Sequence, residues 1–454
     1  MTSSVDDLSS VLRNFLLGRV LPAESAYESH LAELHTVSER FNLAAVPPVL
    51  ALLKVESRRL GLWNIFLPPS LHPIARGVLG KDAFEYLPPR PLSVSQYARL
   101  SEIMGRSPAI APEACNCSAP DTGNMEVLLH QGTDAQQRRY LPRLLKGDCR
   151  SAFLMTEPDI SCSDASNVSS TLTKVVEDGH RISYRLNGNK WWATGFMDPR
   201  CEIVLIVCKM DYSHVTWTQY ASARGLPANP FEGQRKRQHT VVVLPRHARG
   251  IDAVRPLTTF GYDDAPNGHA VVKLLNVPVS VDDIILGEGR GMEVAQSRLG
   301  PGRVHHCMRA VGMAQRAYEM MVLRASSRTV FGKEIGRHGL ARKRIAESRG
   351  AVESARALTL SCAKSIEEAG VDESLDWIAL IKVEVPLLCS KVVDHAVQMH
   401  GGAGVEGSGF LARTLVGLRT LRIADGPDDV HTETVGRLEI RKIKTEEGHK
   451  RSRL

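Results

Sequence analysis

Small hydroxyl side chains and indole rings are concentrated in neighbouring segments of the sequence. Residues 155–158 read Met-Thr-Glu-Pro, residues 161–164 read Ser-Cys-Ser-Asp, and residues 190–195 read Lys-Trp-Trp-Ala-Thr-Gly. Successive side chains of an extended strand point to opposite faces, so these hydroxyls and indoles would share faces with one another. Two hydroxyl-bearing edges beside a broad indole would hold a flat ring system with a polar rim. The spacing alone fits equally well a Ser/Thr-rich strand end with two core tryptophans.

A second group of candidates is acidic and basic. Asp425 precedes Gly426 and Pro427, where an acidic residue commonly forms a turn or an N-cap. On a loop beside an acyl substrate, the same carboxylate could remove a proton next to a carbonyl group. Arg303 follows a Gly-Pro-Gly segment that we expect to open a helix locally, and it could clamp a phosphate or a thioester ligand. We interpret His305 and His306 as packing or surface residues.

Two further motifs combine chemistry with a helix end. Arg328 and Phe331 place a cation beside an aromatic ring, which suits either a helix C-terminus or contact with a pyrophosphate and a stacked ring. The glycine clusters at 287–291 and 401–404 lack the strand-before, helix-after context of a dinucleotide fingerprint. We interpret the first as a linker and the second as a helix C-cap that would also let a ligand approach the backbone.

Composition limits the class of protein. The chain has 454 residues, enough for two or three domains, and a mild net charge of +7 that does not imply nucleic-acid binding. The nine cysteines fit a reducing compartment better than a disulfide framework, and their spacing predicts no metal site. The sequence ends in Ser452-Arg453-Leu454, which is similar to a peroxisomal import signal. We therefore expect a peroxisomal protein, with cytoplasm or mitochondrion as alternatives.

Hydrophobic periodicity divides the chain into segments of different structure. Residues 1–150 show a helical period, residues 151–288 alternate as strands do, and residues 289–444 return to long amphipathic helices before a basic tail at 445–454. We predict a hairpin turn at Asn187-Gly188 and a surface excursion over residues 211–238. The expected fold class is α+β: an N-terminal helical domain, a middle β-barrel or sandwich, and a C-terminal four-helix bundle.

Taken together and in order, these motifs resemble the acyl-CoA dehydrogenase family over about residues 25–440. The resemblance rests on residues 155–164, on residues 187–195 (Asn-Gly-Asn-Lys-Trp-Trp-Ala-Thr-Gly), on Arg328 with Phe331, and on residues 398–404 (Gln-Met-His-Gly-Gly-Ala-Gly). Residues 114–121 and 300–306 are most similar to the branch that in animals follows an aminoglycoside-kinase-like domain. We expect no counterpart of that domain in this chain.

The resemblance implies FAD as cofactor and a role for each matching position. Asp425 would be the catalytic base, and Ser163, Arg303 and Gly426 would contact the CoA-bearing substrate. Arg328 and Phe331 would reach the FAD of a neighbouring subunit. The cofactor-binding positions implied by the resemblance are Met155, Thr156, Ser163, Trp192, Thr194, Arg328, Phe331, Gln398, Gly401, Gly402 and Asp429.

The implied reaction is α,β-desaturation of acyl-CoA thioesters of the fatty-acid β-oxidation type. Asp425 would take the α-proton while the β-hydrogen leaves as hydride to flavin N5. Asp425 stands where the family usually has glutamate, so its side chain is shorter by one methylene, about 1.5 Å. Pro427 and Asp429 also depart from the usual residues near the adenine contacts.

Two alternatives to this reaction stay open. Nitroalkane oxidases resemble the same family and use an aspartate base, so a flavin oxidase of that type fits Asp425. A non-catalytic acyl-CoA-binding or assembly protein is the third possibility. The resemblance further implies a homodimer or homotetramer, electron-transfer flavoprotein or oxygen as electron acceptor, and, from the C-terminal tripeptide, a peroxisomal import receptor as partner.

Overall fold

The computed structural model describes residues 5–451, without the side chains of residues 5, 6, 299–301 and 445–451. The tripeptide Ser452-Arg453-Leu454 lies outside the described residues. Helices come first along the chain, then strands, then helices again, as expected for the predicted α+β fold. No helix within the described residues has an apolar stretch long enough to cross a membrane.

The N-terminal third is helical, with Pro-containing breaks between its helices. The first helix continues through a π-helical turn, Leu16–Val20, into the second. The helices are α1 (Val5–Phe15), α2 (Leu21–Ala32), α3 (Val37–Arg40), α4 (Val49–Arg59), α5 (His72–Leu79), α6 (Ala83–Tyr86), α7 (Val94–Gly105), α8 (Ala111–Ala114), α9 (Asp121–Gln131) and α10 (Asp134–Lys146).

The middle segment forms an eight-stranded sheet within the described residues. Its order is β6-β7-β3-β2-β4-β5-β8, and β1 pairs with β4 in parallel. Apolar side chains of alternate positions, such as Leu172, Leu186 and Val272, are fully buried in its core. The strands are β1 (Arg150–Leu154), β2 (Thr171–Glu177), β3 (Arg181–Thr194), β4 (Cys201–Asp211), β5 (His239–Pro245), β6 (Ile251–Leu257), β7 (His269–Val279) and β8 (Ile284–Ile285).

One sequence prediction within this segment is wrong. The hairpin turn lies at Asp178 and Gly179, both with positive φ (52° and 72°), and not at Asn187-Gly188. Strand β3 runs straight through Gly188, where the register shifts and a Cβ would lie 2.1 Å from Ser170 Oγ. The glycine therefore serves a bulge, a role that Asn-Gly spacing does not distinguish from a turn. The excursion over residues 211–238 contains helix α11 (Val215–Ala223), whose Trp217 is 5% exposed.

The C-terminal segment is built from long helices with an apolar core between them. Helix α12 runs unbroken through the Gly-Pro-Gly segment, so Arg303 lies within a helix and not at an opening, contrary to the prediction. The elements are α12 (Gly291–Ser327), β9 (Thr329–Val330), β10 (Lys333–Glu334), α13 (Gly339–Ala369), α14 (Leu375–His400), α15 (Gly402–Val405), α16 (Phe410–Leu421) and α17 (Asp428–Arg451).

The chain forms two compact units that do not follow the three predicted segments. One unit comprises residues 1–21, 92–112 and 300–454, and the other comprises residues 22–91 and 113–299. Helix α7 thus packs with the C-terminal helices, where a Cβ at Gly312 would lie 2.0 Å from the carbonyl oxygen of Glu102. We refer to these as the helical unit and the sheet unit. The division into three domains stays a prediction.

Candidate functional site

Asp425 lies in a short turn of the helical unit, between α16 and α17. Its φ is 57°, in the left-handed region that few non-glycine residues adopt, and Gly426 follows with a φ of 100°. Such a conformation costs free energy and persists only where the surroundings enforce it. The residues around this turn must therefore hold its backbone in place.

Three side chains hold the backbone of the turn. Lys382, which is 1% exposed, donates from Nζ to the carbonyl oxygens of Leu421 and Ala424, both at 2.7 Å. Arg303 donates from Nε and Nη2 to the Asp425 carbonyl oxygen at 3.3 and 3.1 Å. Leu421 is the last residue of α16, and its carbonyl, which the helix itself leaves unpaired, carries a partial negative charge that favours a cation.

His431, one helical turn into α17, completes this set of contacts. Its Nε2 lies 3.2 Å from the Asp425 carbonyl oxygen, which only accepts, so Nε2 donates. Burial, together with the nearby Arg303 guanidinium, lowers the pKa of His431 to about 4, so the ring is neutral at pH 7. Arg303 and His431 together therefore fix the carbonyl group of Asp425.

The side chain of Asp425 is partly exposed and lies near a histidine. Its side chain is 29% exposed, and one oxygen, Oδ2, lies 3.6 Å from His306 Nε2. His306 is 30% exposed, and its interpretation as a packing or surface residue stays a prediction. His306 lies one turn from Arg303 on α12, an i, i+3 spacing that could have indicated a shared face.

We predict that Gly426→Ala damages the site through His431. A Cβ at this position would lie 2.6 Å from His431 Nε2, and the φ of 100° strains any other residue. The displaced imidazole would lose its hydrogen bond to the Asp425 carbonyl, so we expect a loss of about 1–3 kcal/mol in unfolding free energy. Thermal unfolding of the purified protein measures it.

Gly417→Ala is the matched control for this change. Gly417 lies inside α16, and a Cβ there meets nothing within 4 Å. Alanine is the better helix former by up to about 1 kcal/mol, so this variant should be as stable as the wild type or more so. If both variants unfold at the same temperature, the steric argument at Gly426 is wrong.

The sheet unit holds the other group of predicted site residues. Met155 and Thr156 follow β1, and the Thr156 carbonyl accepts from the Trp191 backbone N–H at 3.0 Å. Lys190, fully buried, donates to the Met155 carbonyl at 3.1 Å and to Glu157 Oε1 at 2.7 Å. Ser163 is exposed on the loop beyond Glu157. The sequence segments 155–164 and 190–195 are therefore neighbours, as predicted.

Trp192 and Thr194 occupy the end of β3, where the strand bulges. Trp192 has a φ of 50° and is 36% exposed, which is unusual for so large an apolar ring. Its ring makes an edge contact with His269, at 5.5 Å between centroids, and Thr194 Oγ1 lies 3.0 Å from His269 Nδ1. The sequence interpretation did not select His269, because its position opposite Thr194 depends on the pairing of β3 with β7.

Other predicted residues lie on open surfaces of the helical unit. Phe331 forms the tip of the β9–β10 turn with a φ of 47° and 97% exposure, and Arg328 precedes that turn. Gly401 ends α14 with a φ of 62°, as the C-cap interpretation predicted, and a Cβ at Gly401 or Gly402 would meet nothing within 4 Å. Gln398 is exposed in the last turn of α14, and Asp429 is exposed in the first turn of α17.

These residues fit a large, planar, polar-rimmed group such as FAD. The indole N–H of Trp191 is buried without a partner among the described residues, so a donor is available beside the exposed Trp192 ring. Thr194 adds a hydroxyl group beside them. In the helical unit, which also contains Asp425, the glycines at 401 and 402 leave the backbone open to a ligand.

Comparisons with known proteins were consistent with one another. A family model described as acyl-CoA dehydrogenase, C-terminal domain, matches residues 289–439. The chain is 42% identical over 406 residues to the probable acyl-CoA dehydrogenase IBR3 of Arabidopsis thaliana, covering 87% of this chain and 46% of that protein. The chain spans about half or less of the length of the curated relatives it matches first.

Two mycobacterial proteins match over their whole length. The probable acyl-CoA dehydrogenase FadE2 of Mycobacterium tuberculosis is 36% identical over 445 residues, which cover 98% of this chain and 97% of that protein. A solved structure of a proposed acyl-CoA dehydrogenase from Mycobacterium abscessus has a TM-score of 0.84 at 39% identity. That match covers 98% of this chain and 100% of the other.

Proposed function

Because the chain belongs to the acyl-CoA dehydrogenase family, we propose that it catalyses FAD-dependent α,β-desaturation of acyl-CoA thioesters, with Asp425 as the base. The observation that carries the proposal is the turn that presents Asp425. Its backbone is fixed by Lys382, Arg303 and His431, while its carboxylate stays partly exposed. A general base needs a fixed position and an accessible lone pair, and this turn supplies both.

The residues of the chain bind, orient and move a proton. Asp425 removes the proton α to the thioester carbonyl, and the Arg303 guanidinium, close to that residue's backbone, adds positive charge where the substrate's charge develops. FAD, when bound, supplies the oxidising power by taking up the two electrons and the β-hydrogen. Trp192 would cover the flavin ring, and Thr194 would hydrogen-bond its edge.

The shorter aspartate arm is compatible with this role because His306 lies beside it. A histidine at 3.6 Å from Oδ2 restricts where the carboxylate can point. A carboxylate that can rotate freely points at the substrate only part of the time. Proton transfer is faster when the base is held in one orientation toward the proton that it removes. We include His306 in the proposal as a residue that positions the base.

The open surfaces support an assembly of several copies. Phe331 is almost fully exposed at the tip of a two-residue turn, so covering its ring with another surface would remove apolar area from water. We propose that a second copy of the chain supplies the cover, in a homodimer or homotetramer, and that Arg328 lies at the same contact. The electron acceptor that follows FAD is either an electron-transfer flavoprotein or oxygen.

The test is an assay of the purified protein with a panel of acyl-CoA thioesters of different chain length. We expect bound flavin absorbance near 450 nm that bleaches on anaerobic addition of at least one acyl-CoA, and turnover with an artificial electron acceptor. Bleaching by nitroalkanes with oxygen consumption, and none by acyl-CoAs, would instead indicate a nitroalkane oxidase. A colourless protein that binds acyl-CoA without turnover would indicate a non-catalytic role.

A further inference from the structure

A chain of hydrogen bonds connects Thr194 to a carboxylate through a histidine. Thr194 Oγ1 lies 3.0 Å from His269 Nδ1, and His269 Nε2 lies 2.9 Å from Asp264 Oδ2. Thr194 and His269 are directly opposite each other in the antiparallel pair of β3 and β7. The whole chain of contacts therefore lies within the sheet unit and at one end of these two strands.

The turn that carries Asp264 is itself held in place. Gly268 donates to the Asp264 carbonyl at 2.9 Å, and the Gly268 carbonyl accepts from Gly195 at 2.9 Å. Gly268 has a φ of 58°, and a Cβ there would lie 2.4 Å from Phe41 Cε1, so only glycine fits. Asp264 also has a positive φ of 53°, which aspartate tolerates better than most residues.

The chemistry of the two contacts fixes the direction of the hydrogen bonds. An ionised carboxylate only accepts, so His269 Nε2 carries the proton toward Asp264. In the neutral ring Nδ1 is then an acceptor, and the Thr194 hydroxyl donates its one proton to it at 3.0 Å in preference to the Trp192 carbonyl, which lies at 3.5 Å. With its proton donated to His269, the Thr194 oxygen can act only as an acceptor toward any further group.

We propose that Asp264 and His269 are positioning residues that make Thr194 an acceptor toward bound FAD and thereby favour the reduced cofactor. The inference rests on the proposed function, in which Thr194 hydrogen-bonds the reactive edge of the flavin. Reduced flavin bears an N–H at N5, where oxidised flavin bears only a lone pair. A hydroxyl locked as an acceptor therefore binds the reduced form better than the oxidised one.

The contact between His269 and Trp192 supports a role beyond fold stability. The same imidazole touches the Trp192 ring edge-on at 5.5 Å, so one residue contacts both side chains assigned to the flavin. Asp264 is 57% exposed, so water competes for its hydrogen bond with His269 and that bond contributes little to stability. The contact therefore contributes little to folding. It can still orient the Thr194 hydroxyl group, because orientation depends on the direction of the hydrogen bond and not on its strength.

The test is the two-electron midpoint potential of bound FAD in His269→Phe, which keeps a ring against Trp192 but removes the acceptor. We expect the ratio of affinities for reduced and oxidised FAD to fall by up to about tenfold, which is a lower potential by about 30 mV. Asp264→Asn should lower the potential less, because asparagine suits the positive φ but no longer fixes the tautomer. Both are measured by anaerobic dye-linked titration.

His214→Phe is the matched control. His214 Nδ1 makes a similar contact with a threonine hydroxyl, Thr216 Oγ1, at 2.9 Å in the same unit, without involving Thr194. The midpoint potential of FAD bound to His214→Phe should equal that of FAD bound to the wild type. If His269→Phe binds FAD with an unchanged potential, this inference is overturned and the proposed function stands. If the wild-type protein binds no FAD, the proposed function itself fails.

Discussion

Asp425→Asn is expected to slow reduction of bound flavin by acyl-CoA by at least two orders of magnitude. An amide has the shape of the carboxylate but cannot take the α-proton, and loss of a general base costs about 10²–10⁴-fold in rate. Asparagine also tolerates the φ of 57° at this position, so the backbone of the turn should be unchanged. Anaerobic stopped-flow measurement of flavin bleaching at saturating acyl-CoA gives the rate.

Two other variants separate the chemistry from damage to the turn. Glu433→Gln makes the same carboxylate-to-amide change at an exposed position of α17 outside the predicted site and should leave the rate within about twofold of the wild type. Asp425→Glu restores a carboxylate on a longer arm and should retain a measurable rate despite its strained backbone. Asp425→Asn with a rate within about fivefold of the wild type would exclude this residue as the base.

Lys190→Met is expected to lower the unfolding free energy of the sheet unit by about 3–5 kcal/mol, the cost of leaving a buried charge without its partner. Lys190 Nζ is fully buried and donates to Glu157 Oε1 and to the Val207 carbonyl, both at 2.7 Å. Methionine matches the lysine stem in shape but cannot pair with Glu157. Denaturant unfolding followed by tryptophan fluorescence reports mainly this unit, because four of the five tryptophans, at positions 63, 191, 192 and 217, lie in it.

The dependence of this loss on pH identifies its cause. Burial of Glu157 opposes its ionisation, but Lys190 and the hydrogen bonds from Ser169 and Ser170 outweigh it and lower the Glu157 pKa to about 2. A carboxylate with a lowered folded-state pKa stabilises the fold above its unfolded value, and that stability is lost as the pH falls toward 2. Without Lys190 the carboxylate should protonate readily, so the difference between wild type and variant should shrink on acidification.

The double variant Lys190→Met/Glu157→Gln completes the comparison. With the carboxylate replaced by an amide, no uncompensated charge remains, and much of the lost stability should return. Lys236→Met, at an exposed lysine in the same unit, should unfold like the wild type. A double variant as unstable as Lys190→Met alone would show that the lost carbonyl contacts, and not the ion pair, are responsible.

Local patterns in the sequence were sufficient to predict the element types and several motifs. Hydrophobic periods of 3.6 and 2 predicted helices over residues 1–150 and 289–444 and strands over residues 151–288, where the structure has most of its helices and strands, because those periods reflect which face is buried. The Gly401 C-cap follows equally from a backbone conformation that only glycine adopts readily. Residues 155–158 and 190–195 were predicted to act together, and hydrogen bonds from the Trp191 backbone N–H and the Lys190 side chain connect the two segments.

The three-dimensional contacts around those motifs depended on strand pairing and helix packing. Lys382, His306 and His431 approach Asp425 from three different helices, and His269 reaches Thr194 only through the pairing of β3 with β7. Local propensity likewise did not distinguish the turn at Asp178 from the bulge at Gly188. A residue's own sequence neighbours determine its secondary structure, whereas a hydrogen bond depends on which distant segment the buried core brings within 3 Å. That choice is made by the packing of the whole unit, and only the tertiary structure records it.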